Sequence, residues 1–180
     1  NTSGCYNAAY GSQSLCKNTT GTENTALGYR SLYFNTTGVD NTAVGNNALY
    51  CNTGNYNAAV GSDSLQCNTT GANNASLGYR ALRFNTTGSQ NTAMGFRSLY
   101  ANVTGSNNTS FGYMSLQDNT GDSNTAIGRS SLQENTTGYD NTAVGKDALL
   151  GNTTGYRNTS LGHSSLKSNT TAYYNTGLGF

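Results

Sequence analysis

A repeat of seventeen residues runs through the whole chain and restricts what the chain can fold into. The repeat reads Asn-Thr-Ala-φ-Gly-x-x-Ser/Ala-Leu-x-x-Asn-Thr-Thr-Gly-x-x, where φ is a large apolar residue. The glycine after φ recurs from Gly11 to Gly179 in steps of 17 residues, with a step of 16 at two places. A fixed period of this length is typical of a solenoid, in which each coil packs against its two neighbours.

The repeat excludes helices and indicates strands joined by turns. Asn, Thr and Gly recur at positions where they would break a helix, and the chain contains no proline that would remove a backbone donor from a sheet. Both short steps arise from the loss of one threonine, at residues 52–54 and 119–121. A deletion inside a strand would turn its side chains to the opposite face, so we expect the Asn-Thr-Thr-Gly segment to be a turn.

The predicted fold is all-β: a parallel β-solenoid or β-roll of about eleven coils, with 17 or twice 16 residues and two short strands in each coil. Residues 1–180 would form a single continuous repeat domain, which we expect to be a segment of a longer fibre. Each strand carries a small residue beside a large one, and neighbours on a strand face opposite ways. Large residues inside would leave a smooth outer surface of Ala and Ser on which another chain can pack. The repeat leucines form the predicted core column: Leu15, Leu32, Leu49, Leu65, Leu82, Leu99, Leu116, Leu132, Leu149 and Leu166.

Stacking the coils in register sets asparagines above one another in two columns. One column begins at Asn18 and Asn35, and the other begins at Asn24 and Asn41. We expect ladders of side-chain amides that satisfy the turns, because stacked asparagines hydrogen-bond along the stacking direction.

Charge and hydrophobicity limit the possible partners. Only 9% of the residues are charged and the formal net charge is +1, which removes the electrostatic basis for binding nucleic acid or an anionic membrane. No apolar run approaches the roughly 20 residues that cross a bilayer. We therefore expect neither nucleic-acid binding nor membrane insertion.

Residues 41–49 and 141–149 read Asn-Thr-Ala-Val-Gly-x-x-Ala-Leu, and each is followed by Asn-Thr-Thr-Gly or its shortened form. These segments resemble repeats of phage and giant-virus tail-fibre proteins, and they look like the head repeats of trimeric autotransporter adhesins. The resemblance covers essentially the whole chain. It implies a parallel β-roll, usually trimeric, that serves as a stiff shaft or adhesive head outside the cell. The present coil is longer than the usual adhesin-head coil. A filament of stacked single chains is therefore an alternative to the trimer.

Thirteen Asn-x-Ser/Thr sequons are candidate sites for N-glycans. We favour the Asn-Thr-Thr turn among them because a turn projects outward, although turn chemistry alone also produces such sequons. The candidates are Asn1, Asn18, Asn35, Asn68, Asn74, Asn85, Asn102, Asn107, Asn108, Asn135, Asn152, Asn158 and Asn169.

The four cysteines suggest two disulfides. Cys51 and Cys67 each follow a repeat leucine by two residues, so stacking brings them into vertical register at a spacing that a disulfide can bridge. Cys5 and Cys16 share the first coil and are the second candidate pair. This interpretation implies an oxidising compartment, while four small buried thiols are the alternative.

Nothing in the sequence has the composition of a catalytic, cofactor or metal site. His163 is the only histidine and lies at a variable position, and the eight acidic residues form no continuous column. Tyrosines such as Tyr29, Tyr79 and Tyr113 occupy variable positions, where they either bind sugars or stack on one another. We expect no enzyme activity, cofactor or metal.

The favoured function is a structural one, the shaft or protomer of an extracellular or virion-surface fibre whose partner is the same chain, as a filament or trimer. The alternative is an adhesin-type module that binds glycans or surfaces. A third hypothesis is ice binding by a threonine column that alanine interrupts. The threonines are Thr25, Thr42, Thr92, Thr109, Thr125, Thr142, Thr159 and Thr176, and the interruptions are Ala8, Ala58 and Ala75.

Overall fold

The protein is a parallel β-solenoid, as the repeat predicts. The computed structural model describes residues 2–180, in which eleven three-residue strands form one sheet with the order β1 to β11. The strands are β1 (Ala8–Tyr10), β2 (Thr25–Leu27), β3 (Thr42–Val44), β4 (Ala58–Val60), β5 (Ala75–Leu77), β6 (Thr92–Met94), β7 (Thr109–Phe111), β8 (Thr125–Ile127), β9 (Thr142–Val144), β10 (Thr159–Leu161) and β11 (Thr176–Leu178). Each strand pairs with the next coil in register, so that Thr25 lies beside Thr42 and Leu27 beside Val44.

The strands alternate strictly between interior and solvent. In β2 the central Ala26 is 1% exposed, while Thr25 and Leu27 on either side of it face outward. The same pattern, a buried small residue between two outward ones, recurs in β3 to β10. The φ column therefore lies outside and the Ala/Ser column inside, so the arrangement with all large residues in the interior is wrong.

The expected second strand of each coil is a run of turns. In the second coil this run spans residues 28–34, and Arg30 and Leu32 within it have φ angles of 54° and 50°. Left-handed residues at alternate positions prevent an extended strand, because each of them reverses the local direction of the backbone. The run still binds neighbouring coils, since the Leu32 amide donates to the Ala48 carbonyl at 3.0 Å and the Phe34 amide to the Tyr50 carbonyl at 2.9 Å.

The predicted leucine column is confirmed as the core. From Leu32 to Leu149 each repeat leucine is 0% exposed; Leu15 is 7% exposed, and Leu166 packs against the cluster while partly buried. All of them have φ between 46° and 52°. A left-handed conformation costs a residue with a side chain roughly 1–2 kcal/mol, and burying a leucine stabilises by about 1.5–3 kcal/mol. Burial thus offsets the strain, which explains why leucine rather than glycine stands at this turn.

The glycine after each φ residue is required by the closeness of the coils. A Cβ atom on Gly78 would lie 2.5 Å from the carbonyl oxygen of Gly95 in the next coil, and Gly78 has a φ of 139°. Any side chain at this position would force the coils apart and break the hydrogen bonds between them. The glycine column therefore sets how closely the coils approach at this corner.

Two leucines of the second coil separate the contribution of the core from that of the surface. We expect Leu32→Ala to lower the free energy of unfolding by about 2–5 kcal/mol, because it leaves a cavity in a packed interior. Leu27→Ala in the same coil removes a side chain that is 44% exposed and should cost well under half as much. Denaturant unfolding of dilute protein followed by circular dichroism measures both, and equal losses would contradict the assignment of Leu27 to the outside.

Candidate functional site

The candidate glycosylation sites lie mostly inside the solenoid. Ten of the thirteen sequon asparagines are at most 2% exposed: Asn18, Asn35, Asn68, Asn74, Asn85, Asn102, Asn108, Asn135, Asn152 and Asn158. The Asn-Thr-Thr turn does not project its asparagine outward as predicted, because this side chain points into the coil. An N-glycan on any of these ten amides has no room in the fold.

The side-chain amides of the interior asparagines form hydrogen-bonded ladders that run along the rod. The Asn85 Nδ2 donates to Asn68 Oδ1 of the preceding coil at 2.8 Å and to the Gly88 carbonyl at 2.9 Å. In the second column the Asn74 Nδ2 donates to the same Gly88 carbonyl at 2.9 Å, and the Asn74 backbone amide donates to Asn57 Oδ1 at 3.0 Å. The two columns close the turn from both sides, so the predicted amide ladders are present and they are buried.

Three sequons lie outside this fully buried set. Asn107 is exposed at the turn before β7, and Asn1 lies outside the described residues. Asn169 is partly exposed, but its Nδ2 donates to Asn152 Oδ1 at 3.1 Å and to the Ala172 carbonyl at 3.2 Å, so it continues the interior ladder. Asn107 therefore keeps its status as a candidate site for a glycan in the folded chain.

The threonine that follows each turn asparagine has a structural task of its own. The Thr69 hydroxyl donates to the Thr86 carbonyl of the next coil at 2.9 Å, and the Thr136 hydroxyl donates to the Thr153 carbonyl at 2.9 Å. These bonds form an outer line of contacts between coils, alongside the inner asparagine ladders. Turn chemistry thus accounts for the Asn-Thr pairs that generate most of the sequons.

All four cysteines are free thiols in the structure, so neither proposed disulfide is formed in it. Cys51 and Cys67 are half-buried and lie on adjacent coils, while Cys5 and Cys16 are exposed. Burial raises the pKa of the Cys51 thiol, and the neighbouring Cys67 raises it further. Burial also raises the pKa of Cys67, against a lowering by Arg83. Both thiols stay protonated and weakly nucleophilic near neutral pH.

The variable tyrosines form ladders of stacked rings. Tyr156 lies between Tyr139 and Tyr173, with both ring centroids 4.9 Å away and the planes within 6°. A second ladder places Phe96 between Tyr79 and Tyr113. Stacking along the rod covers both faces of each central ring and leaves only the ring edges to solvent. A sugar needs a free ring face to stack on, so the ladders favour the self-stacking interpretation.

Some of the charged residues form ion pairs between neighbouring coils. Arg80 Nε lies 3.3 Å from Asp63 Oδ2, and Arg157 Nε lies 3.4 Å from Asp140 Oδ2, each pair being seventeen residues apart. His163 is half-buried and stacks on Phe180 at 4.9 Å. Within residues 2–180 no group of three His, Cys, Asp or Glu side chains is placed to hold a metal ion. The same residues contain no helix of the length and hydrophobicity that a bilayer span needs.

The most unusual surface is the solvent side of the sheet, which we call the outer sheet face. It consists of the first and third residues of β1 to β11, in two parallel rows. One row is threonine, or alanine in β1, β4 and β5, and the other row is the large apolar φ residue. Several φ residues expose 37–48% of their surface, among them Leu77, Met94, Phe111 and Leu161. The sequence alone did not decide whether the φ column faces inward or outward. Because neighbours on a strand face opposite ways, burial of Ala26 and its equivalents places the φ residues outside.

The outer sheet face carries a groove. It lies where Ala58 and Ala75 replace threonine, and Val60, Leu77 and Met94 form its other wall. The two alanines interrupt the threonine row in adjacent strands, so the groove is the space that two threonine side chains would fill.

The burial of the thiols predicts an order of chemical reactivity. At pH 7.5 we expect iodoacetamide to alkylate Cys5 and Cys16 much faster than Cys51 and Cys67, because alkylation needs an exposed thiolate and raised pKa values leave little thiolate at the two half-buried sites. Raising the pH through 9 should narrow the difference. Peptide mass spectrometry of reduced protein measures the four rates, and similar rates at pH 7.5 would contradict the burial.

The buried ladder predicts a large effect of small polar changes. We expect Asn85→Asp to destabilise the rod by more than Asn107→Asp, since the carboxylate cannot donate to Asn68 Oδ1 and Gly88 O. Each buried group left unpaired costs about 1–3 kcal/mol. Thermal unfolding at pH 7 measures both variants, and an Asn85→Asp protein as stable as the exposed Asn107→Asp control would refute the interior placement.

Comparisons of the chain with protein-family models, with curated proteins and with solved structures give no match. The functional assignment therefore depends on the geometry of the solenoid and on the repeat motif.

Proposed function

We propose that this chain is a structural, non-catalytic rod that forms the shaft or protomer of an extracellular or virion-surface fibre. One observation carries the proposal: every coil binds the next through the same contacts, and the large side chains of the interior are used to hold the coils together. The chain presents repeated surfaces in place of a single cleft lined by convergent polar groups, which is the usual form of a catalytic or small-molecule site.

The hydrogen bonds between coils suit a rod that has to resist tension along its axis. Along the rod axis each coil is held by strand pairing, by the turn bonds of residues such as Leu32, by two asparagine ladders and by the threonine line. An extending force along the axis has to break these bonds together in one coil, because they act in parallel. A shaft needs this property, and the length of a repeat rod is set simply by the number of coils.

The resemblance to tail-fibre and adhesin-head repeats supports a location outside the cell. Glycosylation would be limited to surface positions, and among the described sequons Asn107 has an exposed side chain. Glycan binding by the tyrosines is less favoured, since the central rings of the ladders have no free face. The rod would act as a spacer that positions other groups.

Electron cryomicroscopy of the native assembly, isolated from its source, tests the proposal. We expect filaments or fibres that contain the rod with an axial repeat of about 4.8 Å, the spacing of neighbouring strands. Discrete short particles in which the chain is folded but belongs to no elongated structure would contradict a shaft role.

A further inference from the structure

We infer that the outer sheet face binds a second copy of this chain, with the two rods packed face to face and antiparallel. The inference deepens the proposed function, since paired rods form a thicker shaft, and it rests on that function only for its biological purpose. The composition and area of the outer sheet face and the arrangement of its two rows support the pairing.

The composition of the outer sheet face resembles that of a covered surface. Parallel sheets occur almost only with both faces buried, and here one face is uncovered although it carries an apolar row. None of its outward residues is charged, while Arg80, Arg97 and Lys146 lie on other sides of the same rod. Charged side chains on a protein surface oppose its association with other copies, and the outer sheet face has no charged side chain. An unbroken apolar row without charges is typical of an interaction site.

The area of the outer sheet face reaches the lower limit for a specific pair. Eleven strands at about 4.8 Å spacing extend about 50 Å along the rod, and a three-residue strand is about 10 Å long. Each copy would therefore bury roughly 500 Å², or about 1,000 Å² for the pair, which meets the lower limit for specific interfaces. A second copy also has the same strand spacing, so the spacing of its side chains matches that of the first copy along the whole length.

The two rows determine how the copies are oriented. Rotation by 180° about an axis parallel to the strands places one apolar row on the other and the threonine row on its counterpart. Rotation about the rod axis would place apolar side chains on threonines. Apolar contact favours the first arrangement, in which the rods run antiparallel and the interface is the same patch on both copies.

The largest outward side chain of the apolar row meets smaller apolar residues in this arrangement. Phe111 in β7 is the largest outward residue of β2 to β10, and Val60 and Leu77 of the same row lie in β4 and β5. A twofold axis close to β6 sets Phe111 of each copy against Val60 and Leu77 of the other, and it leaves nearly all described strands overlapped. Because an isologous interface repeats each contact, this packing occurs twice in the pair.

Sedimentation equilibrium of the full chain, with matched variants, tests the pairing. We expect the wild type to be a dimer, and we expect Phe111→Ala to raise the dissociation constant about tenfold or more, because it removes the largest apolar side chain of the interface. Phe111 faces outward, so the coil should fold unchanged. The control is Phe84→Ala, since Phe84 and Phe111 are both 39% exposed and Phe84 lies on another side of the rod.

The orientation has a separate test by crosslinking. We expect a bismaleimide with a span of about 10 Å, the distance between packed sheets, to join two copies of Thr92→Cys in β6, next to the twofold axis, and to join no copies of Thr159→Cys in β10, both in a Cys5→Ser, Cys16→Ser background. A wild type that stays monomeric at about 100 μM, a concentration at which a pair with a micromolar dissociation constant is almost wholly formed, would overturn the inference. Trimers, or a dimer that Phe111→Ala leaves as tight as the wild type, would overturn it as well.

Monomeric rods that show thermal hysteresis would overturn the inference by assigning the outer sheet face to ice. These outcomes differ from a failure of the shaft proposal, which depends on imaging of the native material. Pairing in solution with no native fibre would contradict the shaft role alone.

Discussion

The structure depends on in-register stacking of buried asparagine amides. A coil of seventeen residues is too thin to enclose a large apolar core, so its interior consists of one leucine, two small residues and two asparagines. Buried amides are costly unless every group is paired, and the ladders pair each Nδ2 with the preceding Oδ1 or with a glycine carbonyl of the turn. The pairing works only when asparagine stands above asparagine, and this requirement explains the strict repetition of the sequence.

The same stacking decides where variation is allowed. Positions whose side chains enter the coil are almost constant, while the outward corners carry Tyr, Arg, Asp, Lys or Ser. Even there the variable residues pair vertically, as in the stack of Tyr139, Tyr156 and Tyr173 and in the Arg80–Asp63 ion pair. The outer sheet face is the exception, because its side chains are uncharged and its apolar row has no partner within the coil.

The fold could be predicted from the period, and several details could not. The recurrence of Gly11 to Gly179 and the single-threonine deletions indicated a parallel solenoid, its turns and the leucine column. The prediction of a second strand was wrong because Arg30 and Leu32 adopt left-handed backbone conformations. Arg and Leu normally avoid this conformation, so the sequence does not reveal it. The direction of Asn85 was misjudged because a turn asparagine is usually exposed, whereas here the turn wraps around its own side chain. The interior role of Ala26 follows from alternation once one face of the strand is known.

Side-chain hydrogen exchange would test the central claim most directly, since it reports on the asparagine amides themselves. NMR of labelled protein should show two populations of Nδ2 protons. Those of the ladder columns, such as Asn68, Asn74 and Asn85, should exchange slowly, at rates limited by opening of the rod. Those of the exposed Asn46, Asn55 and Asn73 should exchange at rates close to an unfolded chain. Uniformly fast exchange of all asparagine side chains would contradict the buried ladder and with it the account of the fold.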